Sequence, residues 1–176
     1  MLSFKFYVLL LSLWSLFGCG FQPLYERHNN GGIADRFLEI EVAPVKNHLG
    51  QQFRNELTHQ LHGGVTRNRI TYRLVTELTE SQASLAVQKS AFATRANLTV
   101  AANFTLIRDA DQMAVFSSTG QSVVSFNILD SEFASSLAKR NARSRAVREL
   151  AVAMRLKLAS YFESIRKNPG HTNEAK

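Results

Sequence analysis

The chain has 176 residues, with 21 Lys and Arg against 14 Asp and Glu, a formal net charge of +7, and a single cysteine. One cysteine excludes an internal disulfide, and this length suits one hydrophobic core and not two domains. A basic surface favours an anionic partner such as a phosphate, a nucleic acid or an acidic lipid.

The N-terminal run from Phe6 to Phe17 is apolar, is preceded by Lys5, and ends in Gly18, Cys19 and Gly20. It has the length of a signal-peptide core and falls short of the roughly 20 residues that a transmembrane helix needs. A thiol directly after Gly18 resembles the lipobox of bacterial lipoproteins. On that reading residues 1–18 are cleaved away and Cys19 becomes the acylated first residue. Two or three acyl chains on one cysteine would anchor the protein stably where a single chain holds only marginally. Gly20 stands where lipoproteins retained at the inner membrane often carry Asp, so the expected address is the outer membrane. An exported lipoprotein rarely meets nucleic acid, which leaves an anionic glycolipid as the expected anionic partner.

Residues 19–36 contain Pro23, Asn29, Asn30, Gly31 and Gly32 without an apolar period, and read as a tether. Phe37 to Val42 alternates and is stopped by Pro44, which predicts a short strand at or near a sheet edge. Leu49, Phe53, Leu57 and Leu61 recur every four residues, placing an apolar stripe on a helix from about Leu49 to His62, closed by Gly63 and Gly64. Thr71 to Thr79 and Thr94 to Ile107 alternate cleanly, the second with Ala96, Leu98, Val100, Ala102, Phe104 and Leu106 inward. The segment from Glu80 to Ala93 lacks a firm period and reads as a strand extension, a bulge or a loop. Asp109 to Gln112 suits a hairpin turn, from which Met113 to Phe126 returns as an antiparallel partner.

A long helix is predicted from about Ser131 to Lys167, capped by Asp130 or Ser131. Its apolar period runs through Phe133, Leu137, Val147, Leu150, Met154, Leu158, Tyr161 and Ile165. Residues 168–176 form a polar tail. The order strand, helix, three strands, helix predicts an α+β fold over 37–167, a mostly antiparallel four-stranded sheet with two helices packed on one face.

Catalytic arrangements are not found: there is no Gly-x-Ser-x-Gly, no His-Glu-x-x-His and no phosphate-binding glycine loop. The expectation is a non-enzyme without cofactor or metal. His59 and His62 lie three apart without a third ligand and read as solvated surface histidines. The long helix carries nine basic residues, from Lys139 to Lys167, against Glu132, Glu149 and Glu163. These suit either a solvated face or a surface for anionic groups. Arg73, Lys89, Arg95 and Arg108 lie on or between strands, where an outward side chain can pair with a phosphate.

The blocks Gly18–Tyr25, Gly50–Leu57, Tyr72–Ser81, Ala93–Leu98 and Ser125–Asp130, taken in order with the lipobox, resemble the lipopolysaccharide-assembly lipoproteins of LptE type. The resemblance covers nearly the whole mature chain. It implies an acylated outer-membrane lipoprotein, without enzymatic activity, facing the periplasm and the barrel lumen. There it would plug and help assemble the β-barrel that inserts lipopolysaccharide at the cell surface. It further implies contact with lipopolysaccharide through basic groups at strand ends, for which Lys89, Arg95 and Arg108 are the candidates, with Cys19 the acylation site. The competing expectation is a lipid-anchored, periplasm-facing solute- or lipid-binding module, which would need a deep apolar pocket.

Overall fold

Alternation in the central strand organises the fold. In β3 (Arg95–Arg108) the side chains of Ala96, Leu98, Val100, Ala102, Phe104 and Leu106 are all at most 2% exposed, and the intervening residues face away from the core. The computed structural model describes residues 32–65, 69–85 and 95–168. Cys19, Lys89, the expected signal peptide and residues 169–176 of the expected tail lie outside them, as do residues 19–31 of the expected tether. A compact unit begins at Ile33.

Its elements are α1 (Ile33–Leu38), β1 (Ile40–Val42), α2 (Asn47–His62), β2 (Tyr72–Leu85), β3, β4 (Ala114–Asn127) and α3 (Glu132–Lys167). The sheet order is β1-β2-β3-β4. β1 pairs with β2 in parallel, Ile40 opposite Tyr72, whereas β2–β3 and β3–β4 are antiparallel. A parallel neighbour needs a crossover, and α2 supplies it. The α+β expectation therefore holds, with α2 and α3 as its two large helices; of the three readings of Glu80 to Ala93, a strand extension is found as far as Leu85, and residues 86–93 lie outside the described residues.

Two expected boundaries change. Phe37 and Leu38 finish a one-and-a-half-turn helix instead of opening a strand, so the strand is only three residues long. The cause is packing: the Phe37 ring meets Phe162 edge-on at 6.4 Å and the Arg155 guanidinium at 5.8 Å. Residues 33–36, expected in the tether, are helical for the same reason.

α2 starts where the Asn47 carboxamide accepts from the Gly50 N–H at 2.9 Å and stops at Gly63, whose left-handed backbone donates to the His59 carbonyl. Gly50 is required by close approach, because a Cβ there would lie 2.5 Å from Val45 Cγ1. The turn after β3 is tied by the Asp111 carboxylate, which accepts from the Met113 N–H, and by the Gln112 amide, which donates to the Asp109 carbonyl. β4 then takes up one extra residue opposite Leu106 and Ile107.

α3 is capped by Ser131, whose hydroxyl accepts from the Ala134 N–H. At 36 residues it is about 54 Å long. It lies on β4 and β3, with α2 against its side. Ala142, Ala146, Ala151 and Ala159 are buried on it beside Leu150, Met154 and Leu158. These small residues, with Gly120 below, bring helix and sheet together; a Cβ on Gly120 would sit 3.1 Å from Leu150 Cδ1. An aromatic cluster closes the C-terminal end, with Phe116 stacked on Tyr161 at 4.6 Å and Phe162 edge-on to Tyr72 at 5.5 Å.

Phe133 and Leu137 depart from the expected apolar stripe: they are 80% and 49% exposed. The Arg145 guanidinium bonds the Ser125 carbonyl, which fixes the helix level there. From that level the helix runs another thirteen residues toward its N-terminus, about 20 Å, while β4 ends two residues on, about 7 Å. The first turns of α3 overhang the sheet, and Phe133 and Leu137 are left exposed there.

Candidate functional site

The sheet has one covered face and one open face. On the open side the neighbours are mostly neutral hydrogen-bonding groups, including Thr99, Asn103, Thr105, Ser117, Thr119 and Gln121. Cross-strand bonds join some of them, Thr105 with Ser117 at 3.1 Å and Ser125 to Asn97 at 2.7 Å. Charge is concentrated instead on α3.

Much of that helix charge acts inside the fold. Arg143 grips Glu80 with two bonds of 2.6 Å, tying α3 to β2. This bidentate bond holds the Glu80 carboxyl below the ordinary glutamate range, partial burial opposing it and the charges of Arg143 and Lys139 assisting; the Arg143 guanidinium is correspondingly pushed up. Lys157 donates to the Thr119 carbonyl and the Ser118 hydroxyl, and Arg145 to the Ser125 carbonyl. Arg166 and Lys167 share Glu163. Lys139, Arg140 and Arg148 carry no ion pair among the described residues.

The candidate cations on strands separate. Arg95 and Arg108 stand at opposite ends of β3, thirteen residues or roughly 43 Å apart, so one headgroup cannot engage both. Arg108 is paired with Asp111 at 3.0 Å, and Arg73 lies 3.7 Å from both Glu41 and Asp109. Acidic groups therefore surround the cations at that end. Arg95 is exposed and has no ion pair among the described residues.

Arg95 lies opposite Asn127, so it shares its end of the sheet with the turn into α3. There Leu129 is 50% exposed, and its N–H and carbonyl both bond the Ser135 hydroxyl, at 2.7 and 2.9 Å. This clasp fixes an apolar residue beside the overhanging helix turn that carries Phe133 and Leu137. Lys139 and Arg140 follow on the same helix. Exposed apolar residues and cations thus follow one another on this turn and helix, at the end of the sheet that bears Arg95, a combination that suits an amphiphile bearing acyl chains and phosphates. The sequence singles out Arg95 as a candidate but gives no sign of the exposed apolar residues, because the period of Phe133 and Leu137 is that of a buried stripe.

His62 also differs from expectation. It is buried, with Nε2 3.1 Å from the Ile40 carbonyl, and holds β1 instead of facing water; His59 is exposed. The depression beside these histidines, about 470 Å³, is open and is lined by residues such as Arg54, Asn55, Thr58 and Val65, with no large apolar side chain. That is not the apolar pocket a solute-binding module requires.

The architecture is a mostly antiparallel sheet backed on one face by a long C-terminal helix. Solved structures share it. A protein of Caulobacter crescentus CB15 assigned as a lipoprotein superposes with a TM-score of 0.64 at 21% identity, covering 76% of this chain and 97% of its own. A lipoprotein B of Nitrosomonas europaea gives 0.53 at 11%, covering 73% and 86%, and a minor lipoprotein of Acinetobacter baumannii 0.51 at 17%, covering 69% and 88%. No curated protein sequence matches the chain. The lipopolysaccharide-assembly family model, LptE, matches residues 37–158, and the chain belongs to that family. Its role accordingly lies in lipopolysaccharide assembly.

Proposed function

We propose that the mature chain is an outer-membrane lipoprotein acylated at Cys19, which plugs and helps assemble the β-barrel that inserts lipopolysaccharide. In this reading residues 1–18 are removed and the segment from Cys19 is the tether, which keeps the folded unit at high effective concentration beside the barrel. The neutral, hydrogen-bonding open face of the sheet supports the plug reading, since a barrel lumen is polar and such a face is buried against it without stranding charges. No reaction is assigned to the chain.

The observation that carries the lipopolysaccharide contact is the exposed apolar patch of Leu129, Phe133 and Leu137 at the end of the sheet that bears Arg95. Acyl chains meet the patch, and phosphates meet Arg95, with Lys89, outside the described residues, as a further candidate. Arg108, at the acid-rich end, is assigned no part.

Two experiments test this. Cys19→Ala should give an uncleaved or water-borne form that no longer copurifies with a barrel from detergent-solubilised outer membranes; full membrane retention of a cleaved form overturns the acylation. For the purified Cys19→Ala form, Phe133→Ser with Leu137→Ser should weaken lipopolysaccharide binding about tenfold, as loss of apolar contact predicts. Arg95→Ala should weaken it and flatten its salt dependence, whereas Arg108→Ala should leave it unchanged. Equal effects of Arg95→Ala and Arg108→Ala overturn the assignment.

A further inference from the structure

The sheet has three stretches of outward-pointing backbone among the described residues, and two of them are guarded. On β1 the outer carbonyls of Val42 and Ile40 take bonds from Arg54 Nε at 3.0 Å and from the His62 ring at 3.1 Å. On β4 the outer carbonyls of Thr119 and Ser125 take bonds from Lys157 and Arg145. In each case a helix lends side chains to an exposed edge, which is how folded proteins discourage strand addition.

The third stretch is β2 beyond Leu74. Pairing with β1 ends at Val42 opposite Leu74, followed by one bond from the Ala43 N–H to the Leu74 carbonyl. Pro44 prevents continuation of β1. The Leu74 carbonyl faces β1 and the Thr71 carbonyl accepts from Asp109 on the β3 side, so strand alternation directs the N–H and C=O groups of Thr76, Leu78, Glu80, Gln82 and Ser84 outward. None of these backbone groups has a partner among the described residues. At the point where β1 stops, the Thr76 hydroxyl is buried without a hydrogen bond among them, the residue being 7% exposed.

We infer that the β2 edge from Thr76 to Ser84 is a docking site for an extended segment of another protein, added as a strand alongside β2. Backbone hydrogen bonding supplies the attachment. A second copy of this chain is a poor occupant. Between Leu74 and Leu85 the strand carries no cation, and Glu80 is already held by Arg143, so self-pairing leaves Glu77 without an opposite charge. Glu77, which is exposed, selects a partner strand bearing a Lys or Arg placed to meet it.

The test uses the full-length chain in membranes of the source cell. A photoreactive side chain is placed in turn at Val75, Glu77, Thr79, Ser81 and Ala83, and crosslinked peptides are mapped. Strand addition predicts crosslinks to one segment of one other polypeptide, with the crosslinked position moving steadily along that segment as the probe moves along β2. Gln82→Pro removes one outward N–H while sparing the β3 ladder, since proline is tolerated on an edge strand with its N–H side free. It should reduce the crosslinking at least tenfold without altering the thermal unfolding of the purified variant. Amide exchange gives an independent reading: Leu78, Glu80 and Gln82 should exchange at least tenfold more slowly in the detergent-extracted assembly than in the purified chain. Crosslinks confined to this chain or a second copy of it, no ordered progression, indifference to Gln82→Pro, or unchanged exchange each overturn the inference.

Discussion

Glu80 and Arg143 join strand to helix with side chains only 21% and 27% exposed. Removing either partner leaves the other charge partly desolvated. Arg143→Ala should therefore destabilise the fold by about 1–3 kcal/mol in urea unfolding at neutral pH. The Glu80 carboxyl is held below its ordinary value in the fold, so the unfolded chain takes up the proton first on acidification. The stability contributed is complete above the ordinary glutamate value and is lost as pH falls through it to the folded value. The stability gap between the native chain and Glu80→Gln should accordingly narrow toward acid. His62 is the second such residue, and His62→Ala should cost about 1–2 kcal/mol through the unsatisfied Ile40 carbonyl and the space left behind. A histidine three residues from another at a helix end is compatible with either water or burial. Its fate depends on where β1 lies, which local spacing does not encode.

At the scale of elements, α3 divides into an overhanging N-terminal part and a packed remainder. Leu150→Ala should cost about 2–5 kcal/mol, because the side chain is wholly buried over Gly120. Phe133→Ala should stay within about 0.5 kcal/mol, since the side chain is largely in solvent; chemical denaturation of both variants checks the contrast. The strands were legible because burial follows period two closely in β3, and α2 because its four-residue stripe coincides with its buried face. The overhang was not legible. Periodicity reports which side of a helix is apolar, but where the sheet beneath ends depends on helix and strand lengths taken together. The short helix α1 was missed because six residues offer too little period to separate helix from strand, and its Phe37 is fixed by contacts with α3. The apolar component of the candidate site fell into the same gap, while Arg95 was visible as an isolated outward cation at the start of a strand.

Across the whole molecule, the two helices supply both the core and the donors that cover the outer carbonyls of β1 and β4. Truncating Lys157 and Arg145 together leaves the β4 edge, which has no charged residue and no proline, with its carbonyls free. The double variant should self-associate at concentrations where the native chain elutes with its usual volume, as measured by size exclusion with light scattering. The distribution of charge follows the same plan: basic groups concentrate on α3, and the opposite face of the sheet is largely neutral. Of the helix cations, which the sequence allowed as a solvated face or as a surface for anionic groups, Arg143, Arg145 and Lys157 are fastened into the fold.

The parallel pairing of β1 with β2 has a kinetic consequence. β2, β3 and β4 follow one another antiparallel along the chain, whereas β1 must wait for the whole of α2 to be laid down before it can find Tyr72 to Leu74. Loop-closure entropy makes that contact the late one in folding and, with three residues to hold it, the early one to open. Native-state hydrogen exchange should find the amides that join β1 to β2 released at a lower free energy than those between β3 and β4. Each such opening would bare three more residues of β2, so β1 behaves as a latch whose lifetime sets how much of that strand a newcomer can reach.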